Sequence, residues 1–391
     1  MVTLCIMSSK TIVFLSYAFR PFFLLNGIFA ILIIFVWIMS LHGTGLSKVT
    51  PLWHSHEMLI GFSMAAVAGF SLTAVANWTG RSALKGIPLA WLVISWLTGR
   101  LAMIASAWLP AGLVFLLDLW FPILLAWLLG KEIIGGRSQR NYPLVAILVI
   151  VVLLNILYHA GAVEIVPGGD RLAINLLIHT LLTLVVIIAG RIVPTFTSNW
   201  LRQQCQDQFP VNSKTVDNFA LLTTIMVGLT ASLMPTHWLT GLLAFTAALT
   251  HGYRLSRWRG FATISNPLLF VLHAAYLWLP LGYMLLGCAV FGWLFTPTTA
   301  VHALTMGAIG SMILAVTTRV ALGHTGRPLR ATGMTVFAYW VFLLAVVMRL
   351  LAPMGESYSM LMLDLSAAGW MLAFALFTWV YWPILCRARA D

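Results

Sequence analysis

Ten histidines stand in a chain of 391 residues that otherwise avoids polar groups. Imidazole titrates near neutral pH and is the commonest protein ligand for transition metals, so its chemistry here is metal ligation or proton handling. His56, His179 and His302 follow one another at intervals of 123 residues. Around two of them the match goes further. His56 is followed by Gly61 and then Thr79-Gly80-Arg81, and His302 at the same intervals by Gly307 and Thr325-Gly326-Arg327. Each stretch carries small or polar residues four apart: Gly61, Ala65, Gly69, Thr73 and Asn77 in one, Gly307, Ser311, Ala315, Arg319 and Gly323 in the other. Small residues at that spacing let membrane helices approach closely. His54 lies two residues before His56 and so points about 200° away on a helix, toward a different partner. Glu57, the next residue, could orient an imidazole, accept a proton, or sit at a helix N-terminus where the dipole favours an anion. The HExxH zinc signature is not completed, because Ile60 stands where its second histidine would be. Cys5, Cys205, Cys288 and Cys386 form no CxxC pair, and no Walker loop or GxGxxG is present.

These side chains must be positioned by membrane helices. The chain is 61% hydrophobic and 8% charged, with 17 Trp and 22 Phe. Soluble domains usually carry about 25% charged residues, so a cytosolic enzyme, a disordered chain and a disulfide scaffold are excluded. Apolar runs predict about twelve spans, near 19–41, 55–78, 87–107, 111–130, 143–163, 172–192, 215–234, 236–252, 267–290, 298–321, 332–351 and 361–385. The expectation is a single polytopic all-α membrane domain over 1–391, with a short cytoplasmic lead-in at 1–18 and helices over about 19–385. With the N-terminus inside, all of the 22 basic residues fall on cytoplasmic connections and tails except Lys48, Arg100, Arg171 and Arg349. The positive-inside rule therefore predicts both termini cytoplasmic, and most of the +12 net charge needs no nucleic-acid partner. His54, His56, His159, His179, His237 and His302 then lie toward the outer side, with His251, His273 and His324 toward the inner. Arg191 and Arg319 reach the cytoplasmic ends of their helices, either as snorkelling cations or as partners for an anion.

Several blocks resemble the NnrS family of bacterial membrane proteins: Phe19-Arg20-Pro21-Phe22-Phe23, Trp53-His54-Ser55-His56-Glu57-Met58, Ala68-Gly69-Phe70, Asn77-Trp78-Thr79-Gly80, Gly190 to Thr197, His302 to Gly307, and Arg319 with Leu322 to Arg327. The resemblance implies a twelve-helix protein of the bacterial cytoplasmic membrane that contains haem and copper, responds to nitric oxide and protects against nitrosative stress. The implied small-molecule partner is nitric oxide or a related species. Membrane lipid surrounds the protein, and a separate electron donor would supply any redox step.

A b-type haem in a membrane is usually held by histidines on two helices, and the repeat nominates His56 and His302. Copper takes two or three imidazoles, and the candidates are His54, His159 and His179. His324, Arg319, Arg191 and Glu57 are further candidates. The catalytic subunit of haem-copper oxidases offers a fold-level analogy, with twelve helices in a pseudo-threefold arrangement of four-helix units. The seventh span here lacks a histidine and the tenth has one outer histidine, so an oxidase-type centre with two haems is not expected. Two other classes stay open: a secondary transporter, and a carrier that stores or delivers haem or metal. A redox enzyme acting on nitric oxide is one form of the leading reading.

Overall fold

The computed structural model describes residues 13–44 and 48–390. Residues 1–12 of the expected lead-in, with Cys5, lie outside the described residues. No strand occurs among the described residues. In hydrocarbon each backbone N–H and C=O must be satisfied within the segment, which leaves the helix as the solution for long apolar runs. Twelve form: α1 Phe19–Leu41, α2 Pro51–Thr79, α3 Ile87–Ile104, α4 Ala111–Gly135, α5 Tyr142–Ala162 and α6 Gly169–Gln203, then α7 Lys214–Leu233, α8 Trp238–Ser256, α9 Pro267–Val290, α10 Pro297–His324, α11 Gly333–Leu351 and α12 Ser359–Cys386. All but α8 are long and apolar enough to cross a membrane. The exception spends its length on Thr240, Thr246, Thr250, His251 and Arg254. Helix α6 runs well past the predicted end at 192, because the residues after Arg191 are polar yet remain helical through Pro194.

The expected repeat is visible as a local device. In α2, Thr50 is the N-cap and its side chain accepts from the Trp53 N–H, Pro51 opens the helix, and one α-helical turn ends at His56. Glu57–Ser63 then winds as a π-helix, α-helix resumes to Thr79, and Gly80 closes with φ +69°. In α10, Thr296 caps the Thr299 N–H, Pro297 opens, and the α-helical turn ends at His302. Ala303–Gly310 is π-helical and Gly326 has φ +71°. Proline at the first helical position loses no hydrogen bond, and glycine accepts the left-handed conformation after the last turn. His179 shares only the spacing: it lies inside the uninterrupted α-helix of α6.

The described chain divides into two compact units. One takes the chain up to Leu177 with Thr317–Pro328 and the chain from Phe374 onward. The other holds Ile178–Val316 and Leu329–Ala373. In the first unit the family blocks are packing devices. The Phe19 N–H donates to Thr73 Oγ1 at 3.1 Å, and Phe22 and Phe23 occupy the space that a Cβ on Gly69 would need. Buried Arg20 donates through Nη1 to the Leu385 and Arg387 carbonyls at 2.7 and 2.6 Å, where a guanidinium suits the negative end of α12. The π-helical carbonyls of α2 find side-chain donors: Asn26 Nδ2 reaches Phe62 O at 2.6 Å and Trp96 Nε1 reaches Gly61 O at 3.0 Å.

Candidate metal centre

Five ionisable side chains from four helices meet inside the first unit. The start of α2 supplies His56 and Glu57, the end of α3 Arg100, the first turns of α4 Asp118, and the end of α5 His159. His56, Glu57 and Asp118 have no exposed surface, Arg100 is 3% exposed and His159 9%. Two glycines make the meeting possible. A Cβ on Gly61 would run into Phe29 and lie 3.1 Å from Arg100 Cδ, and one on Gly99 would lie 3.2 Å from the Asp118 backbone. Helix α3 therefore lies against α4 at the point where Arg100 must reach a carboxylate. Pro122, inside α4, has no N–H for the Asp118 carbonyl one turn earlier.

The hydrogen bonds fix most orientations. Arg100 donates through Nη1 to Glu57 Oε1 and through Nη2 to Asp118 Oδ1. Asn155 Nδ2 donates to Asp118 Oδ2 at 2.8 Å, which turns its own Oδ1 toward His56 Nε2, also at 2.8 Å. His56 Nδ1 lies 3.0 Å from Glu57 Oε1. His159 Nε2 lies 2.9 Å and His56 Nε2 3.3 Å from the same Asp118 oxygen. Tyr158 stacks on His56 with ring centroids 4.3 Å apart. His56, Asp118 and His159 each offer a ligand atom, and these lie within 4.8 Å of one another. Two imidazoles and a carboxylate suit a first-row transition metal.

The residues nominated from sequence are distributed as follows. His56, His159 and Glu57 are in the cluster. His54 is outside it, stacked on Trp37 at 4.6 Å. His179 belongs to the second unit, where it faces α7 across Gly228. His302 also belongs to the second unit, and its Nδ1 donates to the Thr298 carbonyl at 2.8 Å. His324 is half-buried beside Phe19, ring centroids 5.7 Å apart. Arg319 is buried toward the C-terminal end of α10, and the Arg191 carbonyl accepts from Thr195. Trp53, from the same family block as His54 and His56, gives its indole N–H to Met103 O at 3.0 Å. Asp118 and Asn155 were not anticipated. A lone carboxylate inside the apolar run Phe115-Leu116-Leu117-Asp118-Leu119-Trp120 was the signal for the first, since intramembrane ionisable residues are expensive and functional by default.

The second unit holds another buried polar group, built on α7, α8 and α9. Arg254 donates to Asp217 Oδ1 at 2.7 Å, to Tyr276 Oη at 2.8 Å and to Val186 O at 3.1 Å. With Arg254 donating to it, Tyr276 passes its own proton to His251 Nδ1 at 2.8 Å. His251 Nε2 then donates to Thr224 Oγ1 at 2.9 Å. His273 makes a similar bond to Thr197, 3.0 Å.

Fold and site together define a helical, multi-pass membrane protein with a buried group of side chains of the types that can hold a metal. The NnrS protein family matches the chain over residues 13–389, and the chain belongs to that family. No curated relative matches it. Among solved structures, a chain from a haem-copper terminal oxidase dimer determined by electron cryo-microscopy is similar, with a TM-score of 0.60 at 13% identity. The likeness covers 96% of this chain and 86% of that one. At that identity it establishes a shared fold.

Proposed function

We propose that this protein binds haem and copper in the bacterial cytoplasmic membrane, with both termini inside, and limits nitrosative damage. It does so by binding, or converting by redox chemistry, nitric oxide or a species derived from it. The observation that carries the reading is the duplicated device of α2 and α10, which ends a capped turn on His56 in one copy and on His302 in the other. Both histidines immediately precede a π-helical stretch, and such stretches occur frequently at functional sites. The family membership and the shared oxidase fold support the same reading.

The residues fit the groups. His302 donates from Nδ1 to a backbone carbonyl, so its lone pair is on Nε2, the neutral imidazole state that takes haem iron. His56 is held by a carboxylate on Nδ1, the arrangement that raises the basicity of a ligating imidazole. This reading divides the pair nominated for haem from the sequence: His302 serves haem, whereas His56, enclosed with Glu57, Asp118 and His159, serves a second metal considered below. Haem supplies a redox-active iron with an affinity for diatomic ligands. The chain's own contribution is to hold the imidazoles in one tautomer and to exclude water from the buried cluster. The test is an anaerobic reduced-minus-oxidised spectrum with metal analysis, before and after nitric oxide. A Soret band that shifts on nitric oxide addition is expected, and His302→Ala removes it while the protein still elutes as one species. Purified protein without a Soret band, iron or copper overturns the reading.

A further inference from the structure

The cluster in the first unit contains one more acid than it needs. Glu57 and Asp118 face a single guanidinium, Arg100, in a place with no exposed surface, so the cluster calls for a further positive charge, either an ion or a second proton on His56, whose two ring nitrogens both face oxygens. Isolated charge in such a place is destabilising unless it is compensated. Two polar atoms add to the imbalance. Glu57 Oε2 and Arg100 Nε are buried with no hydrogen-bond partner among the described residues. In the second unit, by contrast, the acid Asp217 meets the base Arg254 one to one.

From these observations we infer that His56 Nε2, Asp118 Oδ2 and His159 Nε2 are the three protein ligands of a mononuclear site for a divalent first-row transition ion. This deepens the reading above by placing its copper. The two distances to the carboxylate oxygen agree with a shared ion. At about 2.0–2.1 Å from a metal, neighbouring ligand atoms lie about 2.9 Å apart at a right angle and about 3.3 Å apart at the tetrahedral angle. Asp118 Oδ2 is 2.9 Å from His159 Nε2 and 3.3 Å from His56 Nε2. Copper stands at the head of the affinity order for such donors.

The surrounding groups then have defined tasks. Glu57 accepts the His56 Nδ1 proton, so that Nε2, which faces Asn155 Oδ1 and Asp118 Oδ2, is the nitrogen that exchanges its proton for the ion. Arg100 holds both carboxylates in place through separate nitrogens. Asn155 donates to the ligating oxygen of Asp118, and Tyr158 covers the His56 ring face. The alternative way to neutralise the cluster is a proton on an imidazole, with no ion at all.

The experiment uses the full-length protein in detergent, stripped with a chelator and titrated with Cu(II) and, in parallel, Co(II). Bound metal is read by elemental analysis after gel filtration, and its ligands by electron paramagnetic resonance. Wild type is expected to retain one ion per chain with coupling to two imidazole nitrogens. His159→Ala should lose one nitrogen from the spectrum and bind at least about tenfold more weakly, and Asp118→Asn should also weaken binding. His159→Ala decides the matter if Asp118→Asn fails to fold, because it leaves the Arg100–Glu57–Asp118 ion pairs in place. Unchanged stoichiometry and spectra in His159→Ala, or no ion retained by wild type, overturn the inference. A copper site that survives in protein devoid of a Soret band overturns only the haem reading; a Soret band in protein with no ion at this cluster overturns only this one.

Discussion

The two buried polar groups of this protein are built from similar parts and are finished differently. In the second unit, Asp217, Arg254, Tyr276, His251 and Thr224 form a chain in which every hydrogen bond has one donor and one acceptor and the formal charges cancel. In the first unit, two acids share one arginine, two imidazoles converge on one carboxylate oxygen, and two polar atoms are left over. A network that is complete in itself ties helices together. One with an uncompensated acid is where the ion proposed above would sit. Burial alone does not separate them, since His56 and His251 are both fully enclosed; charge balance does.

That contrast can be broken or sharpened by substitution. The largest effect is expected from Arg100→Met, which strands Glu57 and Asp118 together in the interior. Removing one partner of a buried pair costs about 3–5 kcal/mol, so thermal unfolding in detergent should drop further for this variant than for any other described here. Arg254→Met comes next, at about 2–3 kcal/mol for its lost charged hydrogen bonds, because the side chain of its partner Asp217 is 34% exposed and can be rehydrated. An equal or larger loss for Arg254→Met would remove the distinction between the two groups. Tyr276→Phe breaks the link to His251 at about 1–2 kcal/mol and should leave metal content unchanged. The smallest expected effects are Thr50→Ala and Thr296→Ala, about 1 kcal/mol each for a lost N-cap. Clearly unequal values would show that the two copies of the device are not equivalent in their caps.

Much of this was legible in the sequence, and the limits have physical causes. The helices follow from apolar run length, and their ends moved where polar residues continued a helix, as after Arg191, or where a Thr-Pro cap began one early, as at Thr50. His56, Glu57 and His159 were recognisable as ionisable groups out of place in lipid. Their convergence on Asp118 was not, because it depends on α3 and α4 touching at Gly99, a contact no local spacing encodes. The interval of 123 residues singled out His179 along with His56 and His302, but spacing does not report winding. His179 sits in ordinary α-helix, whereas the other two end an α-helical turn. Helical-wheel positions counted at 100° per residue also drift across a π-helical stretch, such as Glu57–Ser63 or Ala303–Gly310.

The π-helical stretch in α2 has a bearing on how this helix tolerates changes of length. A π segment holds about one residue more than the α-helix that would fill the same rise. Deleting a single residue between Glu57 and Ser63 can therefore be absorbed by rewinding, with Met64 to Thr79 kept near their present orientation. The same deletion in the unbroken helix α6 would turn everything beyond it by about 100°. What rewinding would forfeit is the pair of carbonyls at Gly61 and Phe62 that Trp96 and Asn26 now engage. The extra residue is thus a slack loop in the helix, tied down by two neighbours beside the one place where four helices bring their charges together.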